Sequence, residues 1–292
     1  MLVVVAAVLT ALTAAPGAAS PERNGAAAAA RSELPGGGTR IFPDRRVVAF
    51  AGAPQHRNLG ILGIGPPSRA AARLRRQARP YKRGGRPLLR AFKLIGVIAL
   101  ASPGPGGKYR ARQADRVIRR YLRAARRARA ILILDIQPGR SDFMTEVRAL
   151  RKWIVQPDVS VALDAEWNMG RRGVPGRRIG SVRAQMVNRV ARYLSGIVRT
   201  RRLPQKLVIV HQFTDAMIRD KPKLRPAKGV ALTVNVDGFG GRRIKIDKYE
   251  HFAKRGDRLY DGFKLFYEED TNMLTPGGVL RLRPRPDYVE YE

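Results

Sequence analysis

Cysteine is absent from the 292 residues, which excludes disulfides, thiolate metal sites, a cysteine nucleophile and the lipidated cysteine of a lipoprotein. Histidine is scarce, with three copies, and none stands in an HExxH or comparable metal-binding spacing. Acids are outnumbered, 23 Asp and Glu against 57 Lys and Arg, for a formal net charge of +34. Such an excess draws polyanions by long-range steering. The arginines are scattered through helix-like stretches (Arg119, Arg120, Arg123, Arg126, Arg127 and Arg129) and are not gathered with aromatics into one tail. That pattern disfavours specific nucleic-acid binding and favours a solvated basic surface or adhesion to anionic cell-envelope polymers. Gly238-Phe239-Gly240-Gly241 makes a flexible loop, but no P-loop pattern accompanies it, so the sequence implies no cofactor.

What is present begins with an apolar run, Met1 to Ala15, followed by Pro16-Gly17-Ala18-Ala19-Ser20. The run is shorter than the ~20 residues a spanning helix needs, and small residues suited to signal-peptidase cleavage follow it, so residues 1–20 are expected to be a signal peptide and the protein to be secreted or envelope-associated. No Lys or Arg precedes the run. Residues 21–45 are rich in Ala, Gly and Arg and poor in large apolar side chains; a flexible linker is expected there, with the folded part starting near Ile41 and the domain itself spanning 46–292.

From there β-type runs alternate with helical patterns. The runs are Val47 to Gly52, Phe92 to Leu100, Ala130 to Gln137, Val159 to Glu166, Leu207 to Phe213, Val230 to Asp237, Phe263 to Glu268 and a weak last one at Tyr288 to Tyr291. Helical periodicity marks Gln113 to Arg129, Asp142 to Ile154 and Val182 to Val198. Eight strands alternating with helices predict parallel pairing and a single (β/α)8 TIM-type barrel, with a doubly wound parallel α/β sheet as the alternative. Parity favours the barrel. In the fourth run Val159, Val161 and Leu163 share one face while Ser160, Ala162, Asp164 and Glu166 share the other. The sixth run repeats this, with Ala231, Thr233, Asn235 and Asp237 opposite its valines and leucine. Against the barrel stand the short Thr214 to Lys228 link between strands five and six and the poorly marked final helix and strand.

Barrel active sites lie at the carboxyl ends of the strands. The polar residues at those ends are Asp135 and Gln137, Asp164 and Glu166, His211 and Gln212, Asn235 and Asp237, and Glu268, Glu269 and Asp270, while strand starts are poor in them. A glycosidase needs two carboxyls about the scissile bond, one protonated and one ionised. Glu166 and Glu268, at the ends of strands four and seven, are the expected catalytic pair, with Asp164 beside them. Many retaining barrel glycosidases place the acid/base on strand four and the nucleophile on strand seven; there the acid/base typically follows an Asn, whereas Glu166 follows Ala165. Trp167, Phe213, Phe239 and Tyr267 could stack on sugar faces. Asp135, Gln137, Trp167, His211, Gln212, Asp237, Tyr267 and Asp270 are thus expected to bind substrate, a cell-envelope polysaccharide or other anionic polymer. A metal held by Asp135, Glu166, His211 and Asp237 is a second enzymatic reading.

The runs Leu134-Asp135-Ile136-Gln137-Pro138-Gly139-Arg140-Ser141, Ala162-Leu163-Asp164-Ala165-Glu166-Trp167, Val210-His211-Gln212-Phe213 and Lys264-Leu265-Phe266-Tyr267-Glu268-Glu269-Asp270-Thr271 resemble a family of uncharacterised secreted proteins and lipoproteins from actinobacteria, over about Val47 to the C-terminus. The resemblance implies a barrel-like, envelope-associated protein and brings no established chemistry. This chain differs from the lipoprotein members in lacking the lipobox cysteine.

Overall fold

The computed structural model describes residues 32–253 and 259–292. The expected signal peptide and the first part of the expected linker lie outside the described residues. Among those described, eight strands run parallel and close on themselves. They are β1 (Arg46–Gly52), β2 (Leu88–Ala99), β3 (Ala130–Ile136), β4 (Val159–Leu163), β5 (Lys206–Gln212), β6 (Val230–Val236), β7 (Tyr260–Leu265) and β8 (Tyr288–Tyr291). Each pairs with its successor, and β8 pairs back onto β1 with Val47 opposite Tyr288. An open doubly wound sheet has two free edges; this one has none, so the fold is a (β/α)8 barrel.

Side-chain alternation sorts the strands into two cores. Leu132 and Leu134 of β3, Val161 and Leu163 of β4, Val208 and Val210 of β5 and Leu232 and Val234 of β6 face the surrounding helices. Ile131, Ile133, Ala162, Ile209 and Ala231 face the axis. The parity of the fourth and sixth runs is therefore the parity of the barrel, and it puts Asp164, Asn235 and Asp237 on the inside.

The outer layer comprises α1 (Pro67–Ala78), α2 (Asp115–Arg127), α3 (Phe143–Ala149), α4 (Arg151–Ile154), α5 (Ala184–Arg201), α6 (Arg242–Phe252) and α7 (Pro276–Arg281). Asp142 starts α3 by accepting from Thr145 N at 3.0 Å. The helix expected over Asp142 to Ile154 breaks at Leu150, whose φ of −88° and ψ of 3° leave the helical basin. The helix expected from Val182 starts at Ala184, because Val182 and Arg183 pair with Ile218 and Arg219 as a short separate ribbon. The Ile218–Arg219 strand of that ribbon and two 3-10 turns occupy the β5–β6 link, which carries no α-helix.

Residues 32–45 belong to the barrel, contrary to the flexible linker expected over 21–45. Leu34, Ile41 and Phe42 are buried and pack under the axis-facing side chains of β1, β2 and β3. Gln205 fixes the turn, its Oε1 accepting from Ile41 N at 2.7 Å and Phe42 N at 2.9 Å. Burying Ile41 and Phe42 stabilises this stopper by roughly 2–3 kcal/mol each. Three large apolar residues suffice to anchor a segment whose average composition looks unfoldable. No helix among the described residues is long and apolar enough to cross a membrane.

Candidate active site at the barrel mouth

The strands deliver their inward polar residues to one end. A cavity of about 470 Å³ opens there, walled by Asp135 and Gln137 of the β3 end, Asp164, Glu166 and Trp167 after β4, Phe213 after β5, Asp237 and Phe239 after β6, Lys264 and Phe266 of the β7 end, and Glu292. Beneath the cavity lies a sealed ionic layer. Lys93 Nζ on β2 sits 3.1 Å from Asp135 Oδ2, 2.8 Å from Glu290 Oε1 and 2.8 Å from His211 Nε2. His211 Nδ1 is 2.6 Å from Asp237 Oδ2, which Lys264 Nζ also approaches at 3.3 Å. Lys264 reaches on to Glu292 Oε2 at 2.8 Å. Glu290 Oε2 accepts from Asn235 Nδ2 at 3.2 Å and from the Tyr288 hydroxyl at 2.9 Å.

The proton positions follow from these contacts. An ammonium has three protons and no lone pair, and Lys93 has three acceptors: Asp135, Glu290 and His211 Nε2. The acids Asp164, Asp237 and Asp135 favour a proton on His211 up to about 9, against burial and Lys93. The 2.8 Å contact with Lys93 nevertheless needs an acceptor at Nε2, so His211 is the neutral tautomer whose Nδ1–H donates to Asp237. Burial opposes the charge on Asp237, but Lys264 and the His211 hydrogen bond outweigh it and hold this carboxyl well below the usual range. Asp135 is likewise held low against its burial, chiefly by Lys93.

The acids of the β4 end behave oppositely. Burial, with Asp164 and Asp237 near by, pushes the Glu166 carboxyl up to about 7. Asp164, more deeply buried, rises to about 6; burial leads, and Asp135 and Asp237 add to it against His211 and Lys93. Its Oδ2 is 3.5 Å from Gln137 Nε2, and its Oδ1 has no hydrogen-bond partner. The mouth therefore combines one carboxyl, Glu166, that holds a proton near neutrality with the carboxylates of Asp237 and Asp135, which are held ionised.

The expected residues separate into two groups. Asp135, Gln137, Asp164, Glu166, Trp167 and Asp237 come together around the cavity, with His211 in the layer below. Glu268 does not join them. β7 stops at Leu265 because Asp270 folds the chain back: its Oδ2 accepts from Phe266 N at 3.0 Å and its N donates to Phe266 O at 3.3 Å. Glu268 therefore sits on the turn, 69% exposed, 3.7 Å from Arg57. Asp270 itself holds loops together, also accepting from Gly240 N at 3.1 Å and pairing with Lys245 at 3.2 Å. Gln212 has the outward parity and donates to Thr214 O at 3.3 Å. Tyr267 lies outside the mouth, its hydroxyl donating to Gln77 at 2.9 Å and its ring under Arg73 at 4.6 Å.

Lys93, Lys264, Glu290 and Glu292 are the residues of this site that sequence reasoning missed. They do leave a signal: a lysine or glutamate at inward parity inside an apolar strand run must be buried and paired. For the metal reading, no three His, Asp or Glu side chains of the described residues converge as a ligand set; Lys93 Nζ fills the place among Asp135, Glu290 and His211. No protein-family model matches the chain, and no curated protein matches it significantly.

Proposed function

We propose that the protein is a glycoside-hydrolase-like barrel that acts on a cell-envelope polysaccharide, with Glu166 as proton donor and Asp237 as the ionised partner. The observation that carries this reading is the Glu166 carboxyl, half-buried in an open mouth and titrating at about 7 beside an Asp237 held well below the ordinary range. Two acids in one cavity pushed apart in this way are what glycosidic cleavage requires. Glu166 protonates the leaving-group oxygen as the bond breaks, and a water adds to the anomeric carbon, the proton it releases restoring the acid form of Glu166. The positive charge developing at the anomeric carbon faces the carboxylates of Asp237 and Asp135. Asp164, two residues before the donor, keeps the local field negative and so keeps the donor protonated. Trp167, Phe213 and Phe239 offer apolar faces for sugar rings.

Asp237 thus takes the place expected for Glu268 as the second acid. Export to the envelope belongs to the same proposal and draws support from the Met1 to Ala15 run and the basic surface. The test is a glycan-library digestion with the unaltered protein, Glu166→Gln and Asp237→Asn. Product release by the unaltered protein and its loss in both variants is the expected result. Binding without product release by the unaltered protein would leave instead a non-catalytic binder of anionic envelope polymers.

A further inference from the structure

At the opposite end of the barrel, away from the mouth, four arginines surround a second concavity. α1 and α2 cross the outside of β2 there, and Ala71, Ala72, Ala124 and Ala128 floor a cavity of about 350 Å³ whose polar walls are Ser68, Arg75, Arg90, Arg127 and Arg129. No carboxylate lines it. Arg90 and Arg129 also line a neighbouring, wider depression of about 720 Å³, whose further walls include Arg40, Arg45 and Asp44. Arg40 is paired with Asp44 at 2.7 Å, so the excess charge of the two adjacent cavities, taken together as one groove, is that of Arg45, Arg75, Arg90, Arg127 and Arg129.

We propose that this groove binds a linear phosphate-bearing polyanion, whose successive phosphates lie along Arg75, Arg127, Arg90 and Arg129. The alanine floor lets the chain sink between the helices, and the guanidinium fork matches phosphate oxygens in a bidentate geometry. Arg90 is already held in place, donating through Nη2 to Ala128 O at 2.8 Å, a contact that keeps the group half-buried without neutralising it. Burial, then Arg75 and Arg129, lower the proton affinity of Arg90, as expected where like charges face one another with no counter-ion. A single small anion would use one end of the groove; two adjacent cavities with two arginines in common suit a chain. No residue of the groove lines the mouth cavity, so polyanion binding here is independent of the chemistry proposed there.

The probe is linear polyphosphate, titrated calorimetrically into the full chain at several salt concentrations. Arg75→Gln/Arg127→Gln spares the Arg90 contact and alters two exposed helix positions, so the fold is kept. Arg192→Gln/Arg199→Gln on α5 makes the same charge change elsewhere. The groove pair should weaken binding about tenfold or more and reduce the slope of log affinity on log salt by about two, while the α5 pair stays within about twofold. Equal losses in both pairs, or no saturable binding by the unaltered protein, would overturn the proposal. Displacement of polyphosphate by inorganic phosphate at equal phosphate content would also overturn it, because the site would then recognise one anion and not a chain.

Discussion

Lys93 Nζ and His211 Nε2, on strands three apart, meet inside the barrel at 2.8 Å with both side chains shut from solvent. A lysine so placed is tolerable only because Asp135 and Glu290 lie against it as well. Removing it leaves Asp135 without its cation and Glu290 with only the more distant Lys264, at 3.7 Å, in a low-dielectric interior. Lys93→Met should therefore destabilise the fold by about 3–5 kcal/mol, read from urea unfolding. Adding Glu290→Gln to that variant should restore part of the loss, because one of the stranded charges is gone.

The pH dependence of hydrolysis is set by the donor. Glu166 must hold its proton to act, so kcat/KM should fall as pH rises through about 7. Asp164 is one of the neighbours that keep the proton on Glu166. Asp164→Asn removes that negative charge and should move the falling limb to lower pH. A limb that stays in place would show that another group controls the decline.

The strand positions and the inward set are legible in the sequence because alternation within Val159 to Glu166 and Val230 to Asp237 leaves little choice of face. Strand ends are harder to read. Phe263 to Glu268 looks like one uninterrupted strand, and it ends at Leu265 where Asp270 captures Phe266 N with its side chain and Phe266 O with its own N–H. A side-chain-to-backbone bond four residues away leaves no trace in hydropathy. Lys93 and Lys264 escape notice for the opposite reason: single charges in apolar runs read as interruptions, although their parity places them in the axis. The stopper of Leu34, Ile41 and Phe42 is hidden by averaging over an Ala-, Gly- and Arg-rich neighbourhood.

That stopper should matter to stability. Phe42 is fully buried against the axis-facing core and lies against Tyr260, ring centres 4.9 Å apart. Phe42→Ala should cost about 3–5 kcal/mol, seen as a lower urea midpoint. A loss under about 1 kcal/mol would return residues 32–45 to the status of a linker.

Lys206, at the start of β5, is buried with only carbonyl partners, Gln156 O at 2.8 Å and Val159 O at 2.6 Å. Burial lowers its pKa from 10.5 to about 7. Between those values the unfolded chain binds a proton that the folded chain does not, so this group makes stability rise with pH through the window. Lys206→Met should remove that rise, and its stability relative to the unaltered protein should be most favourable near pH 7 and fade towards pH 10. Urea midpoints of both proteins at pH 7 and pH 10 check the sign.

Everything proposed for the mouth depends on Glu166 carrying a proton at neutral pH. Carboxyl carbon-13 NMR follows this directly, with the Glu166 resonance assigned by its loss in Glu166→Gln. A midpoint near 7 is predicted; a midpoint in the ordinary glutamate range, about 4.3, would contradict the account.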